Sequence, residues 1–116
     1  MALVTGLETI TATIASGASL SGATALGAKT LCGIAMPAAW DAAVLTFQVS
    51  ADGTTWLEMQ TTSAAVSYTA AASQYLAFDP AIWKGINLVK VRSGTLGAAV
   101  NQTLASAIGL VVKQVM

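Results

Sequence analysis

The dipeptide Asp52-Gly53 lies between two stretches of the chain in which apolar and polar residues alternate. In the first stretch, Leu45, Phe47 and Val49 share one side of an extended chain, and the second stretch begins at Trp56. Glycine reaches positive φ without a Cβ clash, so Asp-Gly between alternating runs is a strong signal for a β-hairpin. This hairpin indicates a β class of fold.

Further alternating segments occur along the chain, separated by turns rich in glycine and serine. The first of them places Ile10, Ala12 and Ile14 on one face, and its threonines favour a strand because β-branched side chains fit a pleated surface. No predicted helix exceeds one turn. The predicted strands are residues 8–14, 29–35, 43–50, 55–61, 67–69, 74–78, 86–93 and 107–115, with weaker signals for short strands at 16–22 and 98–100.

Short strands at this spacing predict an all-β fold, a single antiparallel β-sandwich that is jelly-roll-like and has about eight strands. We expect residues 1–7 to form an N-terminal arm and residues 8–116 to form the sandwich domain, which at this length needs no disulfide or metal. The predicted core residues are Ile10, Ile14, Leu31, Ile34, Leu45, Phe47, Val49, Trp56, Leu76, Phe78, Val89, Val91, Ile108 and Leu110.

One helical turn is predicted near residue 80. Asp79 is suited to cap its N-terminus, Pro80 to occupy the first helical position, and Gly85 to end it.

The charge of the chain is unusually low. Charged residues make up 9% of the sequence, apolar residues make up 55%, and the formal net charge is zero. An ordinary soluble domain has about 25% charged residues. With so little self-repulsion, we expect part of the surface to be covered by copies of the chain or by a partner.

The sequence predicts no catalytic residue, no cofactor and no metal site. The chain has no histidine, so neither a Ser-His-Asp nor a Cys-His arrangement can form. Asp52 is explained by its turn and Asp79 by its capping position, and the other carboxylates are scattered. Cys32, the single cysteine, is expected to be a buried structural residue, and the lack of disulfides suits a reducing cytoplasm. We therefore expect a non-enzymatic protein.

Nucleic-acid and membrane partners are not expected. Lys90 and Arg92 lie two residues apart on one strand, but no basic cluster surrounds them, so a solvated strand face is predicted. The uncharged run 9–28 is interrupted by threonine, serine and glycine, which argues against a membrane span. The first residues lack the basic start of a signal peptide.

The three tryptophans allow two interpretations. Trp56 is expected to be buried, because it lies on a hairpin strand and tryptophan is mostly buried. Trp40 and Trp83 lie in loop or turn segments, where an exposed ring could stack on a sugar. A carbohydrate-binding module, with one of these two rings as its platform, is therefore an alternative function.

Residues 50–56, Ser-Ala-Asp-Gly-Thr-Thr-Trp, resemble the Ser-x-Asp-Gly-x-x-Trp hairpin of discoidin-like, galactose-binding-type β-sandwiches. Residues 90–94, Lys-Val-Arg-Ser-Gly, resemble a later strand of the same domains. The binding loops of those domains do not map onto this chain, so the resemblance implies the fold rather than sugar binding.

A second resemblance covers most of the chain and is carried by the segments 19–22, 30–40, 45–56, 77–80 and 91–94, together with Asn101-Gln102. In these segments the chain is similar to a group of small virion structural proteins of tailed bacteriophages. The similarity fades over 61–73 and before residue 7.

This second resemblance implies a capsid decoration (cement) protein that binds the major capsid protein and stabilises the phage head by bridging capsomers. It further implies a homotrimer on the virion surface, made in the host cytoplasm, with the N-terminal arm ordered on the capsid or on a neighbouring subunit. A minor tail or baseplate adaptor is the remaining alternative.

Overall fold

A computed structural model of the chain describes residues 7–27 and 29–114. Most predicted strands are confirmed, with ends that differ by up to three residues. The strand β2 was not predicted, because it lies in a glycine- and alanine-rich segment without alternation. The described elements are β1 (Leu7–Ile14), β2 (Thr24–Ala25), β3 (Lys29–Ala35), β4 (Ala43–Ser50), β5 (Leu57–Glu58), β6 (Tyr68–Ala70), β7 (Tyr75–Ala77), α1 (Pro80–Trp83), β8 (Leu88–Thr95), β9 (Ala98–Ala99) and β10 (Ser106–Gln114).

The strands form two antiparallel sheets around one core, so the predicted all-β antiparallel sandwich is confirmed. Sheet 1 has the order β1-β10-β3-β7. Sheet 2 has the order β2-β8-β4-β5, with β6 also paired to β4 and β9 to β8. Leu7, which the sequence assigned to the arm, already pairs with Lys113, whereas residues 1–6 lie outside the described part of the chain.

The core lies between the inner faces of the two sheets. Residues directly opposite each other in a ladder share a face. In sheet 1 the registers align an inner row across all four strands, formed by Ile10, Leu110, Ile34 and Leu76. Most of the predicted core residues are confirmed as buried or packed against the core.

Two residues expected in the core lie elsewhere. Trp56 is half-buried outside the core cluster, because it precedes β5 in the loop rather than lying in the strand. Cys32 is also half-buried, since Val111 pairs with Gly33 and the next residue of β10 pairs with Leu31. This β-bulge leaves Cys32 without a partner residue in β10 and turns it out of the inner row.

The predicted helical turn is confirmed. The Asp79 carboxylate accepts a hydrogen bond of 3.0 Å from the Ala81 N–H, and Pro80 occupies the first turn. Gly85 follows the helix with φ of 83°, a conformation that favours glycine. This short helix carries Trp83 into the core, where the side chain is fully buried.

Trp83 belongs to a group of aromatic rings in the core. Its ring stacks on Phe78 at a centroid distance of 5.7 Å and meets Phe47 edge-on at 4.9 Å. The Trp83 Nε1–H has no acceptor among the described residues. The indole therefore contributes buried apolar area while carrying the desolvation cost of one unpaired donor.

The hairpin between β4 and β5 is confirmed, but its loop is longer than two residues. The last pair of the ladder joins Val49 to Leu57, so residues 50–56 form the connection. Asp52 Oδ1 accepts hydrogen bonds from the N–H groups of Thr54 and Thr55, at 2.8 and 2.9 Å. Because the turn uses these two donors, β5 begins at Leu57, two residues later than predicted.

A buried glutamine joins the loops at one end of the sandwich. Gln102 is fully buried; its Nε2 donates to Ser93 Oγ at 2.8 Å and to the Asp41 carbonyl at 3.0 Å. Its Oε1 accepts from the Asp41 N–H at 2.7 Å, and its backbone pairs with Gly17 and Ala18. Ser106 Oγ of β10 also donates to Gln102 Oε1 at 3.4 Å, so the segment 100–105 between β9 and β10 is attached to strands of both sheets.

We expect Trp83→Phe to change the free energy of unfolding by less than about 1.5 kcal/mol, because it removes the unpaired donor and keeps a large ring. Trp83→Ala leaves a cavity and is expected to cost about 3–5 kcal/mol. Urea denaturation of the two variants measures both values. Equal losses in the two variants would contradict this account.

Gln102→Leu is expected to lower the free energy of unfolding by about 2–4 kcal/mol. The variant keeps the volume but leaves the Asp41 N–H and the Ser93 hydroxyl without their partner. The exposed Gln60→Leu is the matched control, with an expected change within about 0.5 kcal/mol. Thermal or urea unfolding followed by circular dichroism compares them.

Candidate functional site

The outer face of sheet 1 is the most unusual surface of the molecule. Lys113 lies at one end of this face; away from it, the registers place ten residues opposite one another, and none of these ten is charged. They are small, threonine or apolar residues, a composition suited to close contact with another surface. The outer face of sheet 1 consists of Thr9, Thr11, Thr13, Ala107, Gly109, Val111, Gly33, Ala35, Tyr75 and Ala77.

The charges of sheet 1 are confined to one end. Among the described strands of this sheet, the charged residues are Glu8, Lys29 and Lys113. Lys113 pairs with Leu7 at the start of β1, and the Lys29 ammonium lies 2.8 Å from the Glu8 carboxylate. The rest of the outer face therefore has no charge that another surface would have to desolvate.

Tyr75 is the large side chain of this face and is 56% exposed. Its ring extends over Gly33, where an added Cβ would overlap the phenol and lie 2.8 Å from the Leu76 carbonyl oxygen. Gly33 therefore permits the aromatic ring to lie across β3. The alternation in the sequence indicates that the threonines of β1 share one face. It does not show that Gly33 and Tyr75 lie on the same surface, because the order of the strands in a sheet cannot be read from the alternation.

The outer face of sheet 2 carries a buried ion pair. Arg92 is 5% exposed and forms a bidentate pair with Glu58, with one hydrogen bond of 2.8 Å and a second, shorter one. Arg92 also donates to Thr46 Oγ1 at 3.1 Å, and that hydroxyl donates to the Gly94 carbonyl at 2.7 Å. These bonds connect β5 to β8 across the intervening strand β4.

The predicted solvated face at Lys90 and Arg92 is therefore wrong for Arg92. The guanidinium is buried because Glu58 from the hairpin neutralises it. The Lys90 ammonium lies 4.4 Å from the centroid of the Trp56 ring, a cation–π contact. Both cations have partners within the chain, so Lys90 and Arg92 are poorly suited to binding a phosphate group.

The prediction of an exposed tryptophan platform is also wrong. Trp40 is 5% exposed and its Nε1 donates to the Ala70 carbonyl at 3.3 Å, while Trp83 is completely buried. Neither ring has a free face on which a sugar could stack. The half-buried ring of Trp56 is covered on one side by Lys90.

Each of the five carboxylates has a local partner. Glu8 and Glu58 pair with cations, and Asp79 caps α1. Asp41 accepts from the Thr103 N–H at 2.8 Å, and this hydrogen bond lowers the pKa of Asp41. The backbone N–H groups of its turn lower the pKa of Asp52 in the same way. These contacts hold loops and strands together and leave the carboxylates apart.

An apolar cleft of about 270 Å³ lies at the end of the sandwich beneath the loop 50–56. It is lined by that loop, by Leu57 and by residues 85–87. In the described residues, no cluster of three or more histidine, cysteine, aspartate or glutamate side chains could hold a metal. No helix in the described part of the chain is long and apolar enough to cross a membrane.

No protein-family model, curated protein or solved structure matches this chain in sequence or fold. Its function is therefore inferred from the chemistry of its own surfaces.

The stability of the protein is expected to depend on pH through Glu58. The Arg92 hydrogen bonds hold the pKa of Glu58 below its ordinary value of 4.5. This contribution is complete above pH 4.5 and is lost as pH falls through the lowered pKa of the folded state. We expect the free energy of unfolding to fall less between neutral and acidic pH in Glu58→Gln than in the wild type, as measured by urea denaturation.

At neutral pH, Glu58→Gln is expected to cost about 2–3 kcal/mol, because a buried guanidinium loses its counter-charge. Glu8→Gln, which removes a more exposed ion pair, is the control and is expected to cost less than about 1 kcal/mol. Losses of equal size would show that the Glu58–Arg92 pair stabilises the protein no more than the more exposed Glu8–Lys29 pair does.

Proposed function

We propose that the protein is a non-enzymatic structural component of a tailed-bacteriophage virion, a capsid decoration protein on the head surface. In this role, the outer face of sheet 1 binds the assembled major capsid protein and bridges neighbouring capsomers. The protein would be made in the host cytoplasm and act on the virion.

The observation that carries this proposal is the uncharged outer face of sheet 1. A shell protein needs a flat surface that loses little hydration energy when it is covered, and threonine, alanine and glycine side chains provide one. Tyr75 adds an exposed aromatic ring, a residue type enriched at protein interfaces. The class of partner is proposed from the resemblance of the sequence segments 19–22, 30–40, 45–56, 77–80 and 91–94 to phage virion proteins.

The other large face is less suited to this role. On the outer face of sheet 2, Arg92, Glu58 and Lys90 are engaged with neighbours in their own sheet. Covering that face would remove water from charged groups that already have partners within the chain. This desolvation costs free energy and forms no new ion pair. We therefore assign capsid binding to sheet 1.

Ala35→Glu tests the assignment, because Ala35 is exposed near the centre of the outer face of sheet 1. A carboxylate buried there without a cation is expected to weaken binding to capsid shells by roughly a hundredfold. Thr69→Glu, at an exposed position of sheet 2, introduces the same charge as the matched control and should bind as the wild type does. Co-sedimentation with undecorated shells of the phage that encodes the protein measures both.

Binding of the Ala35→Glu variant at wild-type affinity would overturn this assignment. The alternative of a minor tail or baseplate adaptor differs in copy number. A decoration protein is present in proportion to the capsomers of the head, whereas an adaptor is present in a few copies, and quantitative mass spectrometry of purified virions separates the two.

A further inference from the structure

The strand β1 has a free backbone edge. Within the described residues it pairs with β10 along its whole length, from Leu7 to Ile14, and with no other strand. An edge strand leaves alternate N–H and C=O groups pointing away from the sheet, where they can pair with another strand.

The other edges of the described sheets are short. The opposite edge of sheet 1, β7, has three residues, and the edge strands β2 and β5 of sheet 2 have two each. Short edges are one ordinary protection against edge-to-edge pairing. β1 has eight residues, no proline and no bulge in its register with β10, and Glu8 near its start is its one charged residue.

We propose that β1 pairs antiparallel with β1 of a second copy of this chain, around a twofold axis perpendicular to the sheet. The two copies of sheet 1 then form one continuous sheet. The outer faces of both copies lie on the same side of it and join into a single surface of twice the width.

The alternation of β1 limits the register of this pairing, and we place Thr11 on the twofold axis, which keeps most of the strand paired. Opposite residues share a face, so the outward threonines must pair with threonines if the inward Ile10 and Ala12 are to stay on the core side. With Thr11 on the axis, Thr9 pairs with Thr13 of the second copy. The two Glu8 carboxylates then lie six residues apart along the pair, roughly 20 Å, which is beyond the range of strong repulsion.

A second copy fits this edge better than a different partner does. The Glu8 charge is matched by Lys29 of the same copy, and the chain has no net charge, so two copies approach without long-range repulsion. A ring of three would require β1 to pair with a different edge of the next copy, and the other edges have two or three residues. The proposed assembly is therefore a dimer and not the homotrimer that the resemblance to phage proteins implied.

The first test compares two lysine substitutions by light scattering on a sizing column over a dilution series. We expect the wild type to have twice the monomer mass of 11.7 kDa. Thr11→Lys places two ammonium groups opposite each other at the axis and should weaken the dimer about fivefold or more. Ala107→Lys, on the same face but one strand inward, is the matched control and should leave the mass unchanged.

The second test is cross-linking in a Cys32→Ser background, which removes the native thiol. Thr11→Cys is expected to form an intermolecular disulfide under mild oxidation, because opposed residues of an antiparallel pair have Cα atoms about 4.5–5.5 Å apart, a separation that a disulfide spans. Ala107→Cys should remain a thiol. This test stays informative if Thr11→Lys fails to fold, as judged by circular dichroism.

A wild-type mass of 11.7 kDa at every concentration would overturn the proposal, and so would a trimer. Equal cross-linking of Thr11→Cys and Ala107→Cys would also overturn it. Dimerisation through β1 is measured on the purified protein alone, so its failure would leave the proposed binding to capsids a separate question.

Discussion

The buried amide of Gln102 connects the two sheets at one end of the sandwich. It bonds to Ser93 in β8 of sheet 2 and to Asp41 in the loop before β4, and its Oε1 accepts a hydrogen bond of 3.4 Å from Ser106 Oγ in β10 of sheet 1. A neutral amide can donate and accept at once without the desolvation cost of a charge. This set of hydrogen bonds holds the two sheets together at that end of the sandwich, beside the core packed between them.

The few charges of the chain are distributed unequally between the sheets. Sheet 2 uses Arg92 and Glu58 to fasten β5 to β8 across β4, and Lys90 covers the ring of Trp56. Sheet 1 has its charged residues at one end, where Glu8 and Lys29 neutralise each other. The charged groups on the outer face of sheet 2 therefore have partners within the chain. The outer face of sheet 1 is accessible and, away from its end at Lys113, uncharged.

The strands were predictable because alternation and turn residues are local properties. The cap at Asp79 and the inner rows of the sheets followed from the same signals. The burial of Arg92 was not predictable, because alternation indicates which side of a strand a residue occupies and not which distant residue meets it there. Trp83 shows the same limit: its exposure depends on where a four-residue helix places it, which is set by packing. The outer face of sheet 1 combines residues from four strands, so it exists only once their order is known.

The pairing of β1 with β10 has a consequence for the order of events during synthesis. The two strands lie about a hundred residues apart in the chain, and β10 also separates β1 from β3. Strands β4, β5, β6 and β8 of sheet 2 come from the stretch 43–95 and can pair as soon as that stretch has left the ribosome. Sheet 1 cannot close until β10 has been translated, so β1 has no neighbour in its sheet until then, while β3 can pair only with the three-residue strand β7. Until β10 has been made, β1 is therefore an unpaired strand that is open to misassociation.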